Sequence, residues 1–151
     1  MSEPKLPRRA NPLFRLYVLS QLMGSLLGRE LEAEGIPDGF GIYSPIGSWG
    51  RITPSDLADL IGMPPTTLSG HIERLVRQGV VRRVENPADR RSYLLELTDE
   101  GMQAFRAGGE GLRRALAALN EHLDRPVDEL LDALEALDSA LRRALDASSS
   151  S

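Results

Sequence analysis

The sequence predicts a mostly α-helical protein with one small two-stranded β-ribbon. Apolar residues recur at three- and four-residue steps along most of the 151-residue chain, which is the helical period. Residues 82–97 differ, because two runs rich in β-branched, aromatic and apolar residues there flank the turn sequence Asn86-Pro87-Ala88-Asp89. Two short helices joined by a tight turn precede this hairpin. We therefore expect a winged helix-turn-helix fold, in which the hairpin is the wing.

Composition favours one folded domain. Of the residues, 41% are hydrophobic, enough to build a core, and no cysteine is present, which excludes disulfides and thiolate metal sites. The N-terminus lacks the apolar run of a signal peptide, and no stretch approaches the roughly 20 apolar residues of a membrane span. We therefore expect a cytoplasmic protein that does not enter a membrane.

Charge is distributed unevenly. The formal net charge of −4 by itself argues against a nucleic-acid partner. Residues 64–95, however, hold six arginines against three acids, whereas residues 98–151 hold 11 acidic and six basic residues. Because phosphate binding depends on the local patch, the middle of the chain remains a candidate for contact with DNA.

The N-terminal part divides into an arm and a helix. Residues 1–11 carry two prolines and three basic residues without any period, which predicts a mobile arm. From Pro12, apolar residues recur at helical steps up to Gly35, so we predict a first helix over residues 12–35.

The next segment, residues 36–50, is the hardest to place. Its glycines and its proline lower helix probability, while apolar residues still recur at helical steps. We expect a short or broken helix, and its residues predicted to face the core are Phe40, Tyr43, Ile46 and Trp49.

Two short helices are predicted between Thr53 and Gly79. Thr53 is a suitable N-cap, Asp56 completes a capping box with it, and Gly62 ends the first helix. Pro65 opens the second helix, which ends before Gly79. The residues of the second helix predicted to face inward are Leu68, Ile72, Leu75 and Val76.

The C-terminal part is predicted to be helical. Residues 36–97 form the winged helix-turn-helix lobe, and residues 98–147 form two helices, the first capped by Thr98 and weakened by the glycines of residues 108–111, which could allow a kink. After Pro126 a leucine stripe runs from Leu130 to Leu145. It spans under three heptads without e/g charges, so packing in a helical bundle fits better than a freestanding coiled coil. Residues 148–151 are predicted to be a disordered tail.

From Ile52 to Gly101 the sequence resembles the MarR family of bacterial transcription regulators. The most specific elements are Asp89-Arg90-Arg91, similar to the D-x-R motif of the family's wing, and the following Leu97-Thr98, similar to its LT-x-x-G helix start. The resemblance implies a homodimer joined through N- and C-terminal helices. It also implies binding to pseudo-palindromic double-stranded DNA and, in many members, release by a small ligand.

The resemblance and the helical pattern indicate the same candidate DNA-binding residues. The N-terminal half of a recognition helix meets base edges and phosphates, and its residues that point away from the core are available for that contact. Asp89 is predicted to orient the wing by holding one arginine guanidinium. Two departures from the family are Gly70, where relatives often place a long side chain, and Pro64, which cannot cap the helix. The candidate DNA-binding residues are Pro65, Thr66, Thr67, Ser69, Gly70, Arg74, Arg90 and Arg91.

Other kinds of site are less well supported by the sequence. Ser69, His71 and Asp89 lack the nucleophile elbow and oxyanion site of a hydrolase, so we expect no enzyme. His71 and His122 are the only histidines and no zinc-ligand spacing occurs, so we expect no metal and no cofactor. Aromatic residues could line a pocket for a small aromatic effector, although aromatic residues at helical spacing are more often explained by ordinary core packing. These residues are Tyr17, Phe40, Tyr43 and Trp49.

These observations favour a dimeric transcriptional regulator, more readily a repressor than an activator. A single recognition helix covers too short a site for useful specificity, so two copies about 34 Å apart would read a palindrome. The alternative is a winged-helix module that contacts other proteins. A steep salt dependence of DNA binding and retention on heparin distinguish the first hypothesis from the second.

Overall fold

A computed structural model describes residues 11–149 of the chain. The chain forms two compact units, which meet in sequence after Arg113. None of the helices in this part of the chain is long and apolar enough to cross a membrane. The elements in chain order are α1 (Pro12–Ala33), α2 (Phe40–Trp49), α3 (Pro54–Ile61), α4 (Pro65–Arg77), β1 (Val81–Glu85), β2 (Tyr93–Leu97), α5 (Asp99–Asn120) and α6 (Val127–Ser149).

Helix α1 is defined at its start by Asn11. The side-chain Oδ1 of Asn11 accepts a hydrogen bond from the N–H of Leu13 at 2.9 Å, and Pro12 occupies the first helical position, where a missing N–H costs little. The predicted arm, residues 1–11, lies outside the described residues except for this cap. No residue of α1 is buried in the single chain. Its exposed apolar residues are Leu13, Phe14, Tyr17, Leu19, Leu22 and Met23.

Helix α2 is short, as expected, but it is not broken. Pro45 lies inside it and removes only the hydrogen bond to the carbonyl of Gly41, while core burial compensates for that loss. Trp49 was predicted to face the core, and this prediction is wrong: 66% of its surface is exposed, because it is the last residue of the helix. The buried residues of α2 are Phe40, Ile42, Tyr43 and Ile46.

Close approach of α2 and α5 explains Gly108, one of the glycines that were predicted to weaken α5. A Cβ added to Gly108 would overlap the ring of Phe40, and one added to Gly47 would lie 2.7 Å from the ring of Phe105. Helix α5 runs through residues 108–111 as one helix. Gly47 and Gly108 therefore make room for aromatic rings at the contact between α2 and α5.

Thr53 caps the first helix of the helix-turn-helix as predicted, but Asp56 does not complete the capping box, because its Oδ2 accepts from the Thr53 hydroxyl at 2.6 Å. Thr53 Oγ1 accepts a hydrogen bond from the N–H of Asp56 at 3.1 Å, and Gly62 ends α3 with a φ of 65°, in the left-handed region that favours glycine. Leu68, Ile72 and Leu75 of α4 are buried, as predicted. They join the core of the first unit, which also contains Ile46, Ile52, Leu57, Ala58, Val80, Val81 and Leu95.

The wing is an antiparallel pair of strands with a third segment attached. Strand β1 pairs with β2 so that Val81 lies opposite Leu97 and Glu85 opposite Tyr93. On the other edge of β2, the N–H of Leu95 donates to the carbonyl of Ile52 at 2.8 Å, and the N–H of Ile52 donates to the carbonyl of Leu95 at 3.2 Å. The sheet is thus hydrogen-bonded to the segment that leads into α3.

The chain leaves the wing through a capped helix start. Thr98 Oγ1 donates to the carbonyl of Gly79 at 2.5 Å and accepts from the N–H of Gly101 at 3.0 Å, which fixes the beginning of α5 against the end of α4. Helix α6 carries the predicted leucine stripe. It continues to Ser149, beyond the predicted start of the tail at residue 148, and residues 150–151 lie outside the described part.

Candidate nucleic-acid interface

The exposed side of α4 carries small polar residues. Leu68, Ile72 and Leu75 take the inward positions, and the helical period then leaves the residues between them on the outside. Arg74 differs from the other candidates, because it is only half-exposed. The candidate residues of α4 that lie exposed are Pro65, Thr66, Thr67, Ser69 and Gly70.

The start of α4 has no side-chain cap. Pro64 occupies the N-cap position and makes no capping hydrogen bond, as its lack of a polar side chain requires. The N–H groups of Thr66 and Thr67 have no carbonyl partner within the helix, since the first bond of α4 is that from Leu68 to the carbonyl of Pro64, at 3.0 Å. Polar amides and hydroxyls thus meet at the exposed end of this helix.

Arg74 is held by a neighbour that the sequence did not indicate. Its Nη2 lies 2.8 Å from Nδ1 of His71, one turn earlier on α4. For a hydrogen bond here, Nδ1 must accept, so the ring proton lies on Nε2. The Nε of Arg74 is buried and has no hydrogen-bond partner within residues 11–149. The i, i+3 spacing was the only indication of this contact available in the sequence.

The tip of the wing is ordered by two polar side chains. Asn86, which is buried, accepts a hydrogen bond from the N–H of Ala88 at 3.1 Å and donates one to Ser92 Oγ at 2.7 Å. Asp89 Oδ1 accepts from the N–H of Arg91 at 3.0 Å. Asn86 was treated only as a turn residue in the sequence, yet its side chain bridges both ends of the turn.

The two arginines at the tip of the wing are exposed to solvent. Arg90 is exposed, and the side chain of Arg91 is 96% exposed. The Nε of Arg91 lies 3.8 Å from Asp89 Oδ1, which is a weak ion pair at such exposure. Asp89 was predicted to hold a guanidinium, whereas in the structure its short contact is with the backbone.

The base of the wing contains a carboxylate shared by two arginines. Glu96 Oε2 lies 2.5 Å from Nε of Arg51, and Oε1 lies 2.6 Å from Nη2 of Arg82. The hydrogen bond from Arg51 is the main reason that the pKa of the Glu96 carboxyl is lowered from its ordinary value. The sequence did not indicate this group, although opposite charges at cross-strand positions 82 and 96 were visible once the register was assumed.

The four aromatic residues proposed to line an effector pocket do not form one group. Phe40 and Tyr43 are buried and pack edge to face, with ring centroids 5.4 Å apart. Tyr17 is 60% exposed and stacks with Phe14 instead, and Trp49 is exposed as well. Burial raises the pKa of Tyr43 to about 12. In the single chain, therefore, two of the four belong to the core and two to the surface.

A small cavity lies beside the candidate interface. Its volume is about 220 Å³, and both polar and apolar groups line it. Its position between the start of α3, the start of α4 and strand β2 makes it a neighbour of the exposed face of α4. The lining residues are Pro54, Ser55, Pro65, Leu68, Ser69, Ile72 and Tyr93.

Comparison with protein families and curated proteins gives consistent matches. The model of the MarR family matches residues 46–92. The multiple antibiotic resistance protein MarR of Salmonella typhimurium is 31% identical over 111 residues, which cover 70% of this chain and 77% of that protein. The HTH-type transcriptional regulator YfiV of Bacillus subtilis is 32% identical over 96 residues, and the chain spans 60% of its length.

Solved structures with the same fold include complexes. A mutant MarR from E. coli complexed with operator DNA matches with a TM-score of 0.74 and 26% identity, over 91% of this chain and 99% of that chain. NadR in complex with 4-hydroxyphenylacetate matches with a TM-score of 0.70 and 26% identity, over 89% of this chain and 96% of that chain. The similarity therefore extends well beyond the helix-turn-helix.

Proposed function

Because this chain belongs to the MarR family of transcriptional regulators, we propose that it binds double-stranded DNA as a homodimer and represses transcription from pseudo-palindromic operators. Helix α4 enters the major groove, and the wing tip lies against the adjacent minor groove. Asp89 orients the wing, and the contacts come from Pro65, Thr66, Thr67, Ser69, Gly70, Arg74, Arg90 and Arg91.

One observation carries this proposal. The exposed polar face of α4 and the exposed arginines Arg90 and Arg91 belong to the same compact unit, and neither set is used in its core. Small polar residues suit close approach to base edges, and arginine suits the negative potential of the minor groove. The structural similarity to a mutant E. coli MarR that was solved with operator DNA supports DNA as the ligand.

Unpaired apolar surface supports the homodimer. Within residues 127–148, α6 has no buried residue, and five of its leucines lie exposed: Leu130, Leu131, Leu134, Leu141 and Leu145. Helix α1 likewise exposes a set of apolar side chains. Apolar patches of this kind mark association surfaces, and a second copy of the chain is the partner that a pseudo-palindromic site requires.

Repression is the simpler of the two regulatory outcomes. A protein that occupies a promoter excludes polymerase through its DNA contacts alone, whereas activation requires a further surface for contact with polymerase. The polar face of α4 and the wing arginines account for DNA contact, and the apolar faces of α1 and α6 account for self-association. We therefore propose repression.

A small aromatic ligand is proposed as the releasing signal. NadR, a structural relative, was solved with 4-hydroxyphenylacetate. In this chain, the cavity beside α4 is about 220 Å³, below the roughly 300–1,000 Å³ of sites for drug-sized ligands, so it suits a single-ring compound. A ligand there would contact Pro65 and Ser69 and so favour a protein state with lower DNA affinity.

Selection from a random duplex pool tests the proposed function. The expected product is a pseudo-palindrome whose half-sites lie about one helical turn apart, bound by two chains. Failure to enrich any sequence, together with no retention on heparin at low salt, would instead support the alternative of a protein-interaction module.

A further inference from the structure

Three segments of the chain meet at the carboxylate of Glu96. This residue belongs to β2, Arg82 belongs to β1, and Arg51 lies between α2 and α3. Each arginine takes a different oxygen of the carboxylate, at 2.5 Å for Arg51 and 2.6 Å for Arg82. The Glu96 side chain is only 13% exposed, whereas those of its partners are 59% and 63% exposed. The acid is thus enclosed by cations, and its position is fixed from two sides.

Arg51 connects this carboxylate to the helix-turn-helix. The next residue, Ile52, exchanges two backbone hydrogen bonds with Leu95 of β2, and the one after it, Thr53, is the N-cap of α3. Arg51 is two residues before the N-cap of α3, so a shift of Arg51 relative to Glu96 would also displace the start of α3. Backbone and side-chain bonds together join the wing to the helices at this point.

We propose that Glu96 is a positioning residue for DNA recognition. By holding Arg51 and Arg82 on one carboxylate, it fixes the orientation of the wing relative to α3 and α4. Helix α4 and the wing can then contact the same half-site of the operator. This inference rests on the proposed function, since it concerns how the DNA-binding elements are arranged.

The proposal and simple electrostatics predict opposite effects on operator binding. Removal of an acid should strengthen binding to any DNA, because one repulsive charge is lost near the phosphates. If Glu96 sets the orientation of the wing, its removal instead weakens binding to the operator, because sequence-specific contacts require both elements in register. Binding to unrelated DNA depends on phosphate contacts and keeps or gains affinity. The ratio of operator affinity to affinity for unrelated DNA therefore distinguishes a positioning role of Glu96 from a purely electrostatic one.

The experiment compares Glu96→Gln with Glu85→Gln in the full chain. Both variants remove one carboxylate from the same hairpin, but Glu85 is exposed and forms no ion pair within residues 11–149. Dissociation constants are measured for the selected operator and for a scrambled duplex of equal length. We expect Glu96→Gln to lower the operator-to-scrambled affinity ratio about tenfold, which corresponds to about 1.4 kcal/mol, and Glu85→Gln to leave the ratio unchanged. An unchanged ratio in folded Glu96→Gln would overturn the proposal.

Arg51→Gln tests the proposal through the other partner and does not alter β2. If Arg51 acts with Glu96 to position the wing, Arg51→Gln should lower the operator-to-scrambled affinity ratio. It should leave the salt dependence of DNA binding unchanged. If Arg51 were simply a phosphate contact, both DNAs would lose affinity equally and the salt slope would fall by about one unit per half-site. That result would contradict the proposal. The Arg51→Gln variant can be measured even if Glu96→Gln fails to fold.

The failure of this inference is distinguishable from failure of the proposed function. If the unaltered protein enriches no DNA sequence, the proposed function is wrong. If the unaltered protein binds an operator and both substitutions preserve its affinity ratio, DNA binding stands and only the role of Glu96 is refuted.

Discussion

The carboxylate of Asp89 accepts a hydrogen bond from the backbone N–H of Arg91 at 3.0 Å. It therefore orders the main chain of the wing tip more than it pairs with the guanidinium, which lies 3.8 Å away at its Nε. A negative charge is thus retained beside two arginines that are proposed to meet phosphate. Its benefit must be structural, because its electrostatic effect on DNA binding is unfavourable.

Substitution of Asp89 separates these two effects. Asp89→Ala should weaken DNA binding despite the loss of a negative charge, because the backbone of the tip loses its acceptor. Asp89→Asn keeps an acceptor at Oδ1 and removes the charge, so it should bind DNA at least as tightly as the unaltered protein. Fluorescence anisotropy with labelled operator measures both. Tighter binding by Asp89→Ala would show that the backbone hydrogen bond is unimportant.

Substitution of Gly108 tests the contact between α2 and α5. In Gly108→Ala the new Cβ would overlap the ring of Phe40, so the helices must separate, and we expect a loss of about 1–3 kcal/mol in the free energy of unfolding. Gly109→Ala is the matched control, because no atom lies within 4 Å of its added Cβ. There alanine should stabilise the helix by up to about 1 kcal/mol. Urea unfolding of both variants checks this, and equal effects would rule out the close contact.

Low pH should weaken the ion pairs that Glu96 forms with Arg51 and Arg82 at the base of the wing. The pKa of the Glu96 carboxyl is lowered from 4.5 in the folded protein, mainly by the hydrogen bond from Arg51. The stability that it contributes is therefore complete above the unfolded-state pKa and is lost as pH falls through the lowered folded-state pKa. The difference in unfolding free energy between the unaltered protein and Glu96→Gln should be constant near neutral pH and should shrink below about pH 4.5. A difference that stays constant down to about pH 2 would contradict this pKa shift.

The leucine stripe of α6 should be required for the dimer. Leu134 and Leu141 are exposed in the single chain and lie two turns apart on one side of the helix. The double substitution Leu134→Glu and Leu141→Glu should yield monomers, because charges would be buried at the interface. Ala136→Glu adds a charge on the opposite side of α6 and should leave the dimer intact. Sedimentation equilibrium distinguishes these cases, and a double variant that remains dimeric would exclude this surface.

Local features of the sequence were sufficient to predict most of the first unit. The N-caps Thr53 and Thr98, the helix end at Gly62 and the buried positions of α4 each depend on residues within one or two helical turns, so their patterns can be recognised in the sequence. The winged helix-turn-helix follows from their order. The match to the MarR family then confirms the resemblance found between residues 52 and 101.

Features that depend on tertiary packing were not predictable in the same way. Trp49 matched the helical period of α2, yet it lies at the helix end beyond the core. Arg51 and Glu96 are 45 positions apart, and tertiary contacts such as the bridge between Ile52 and Leu95 bring them together. Gly108 of α5 resembles a helix breaker in the sequence, and only the packing of the Phe40 ring against it explains why a glycine is needed there.

The salt dependence of operator binding tests the central claim most directly. If Arg90 of each chain contacts a phosphate, the logarithm of the association constant should fall steeply with the logarithm of salt concentration, and Arg90→Ala should reduce that slope by about one unit per half-site. Arg125→Ala removes an exposed arginine of the other unit and should leave the slope unchanged. A shallow slope in the unaltered protein, or an Arg90→Ala slope identical to it, would contradict DNA binding through the wing.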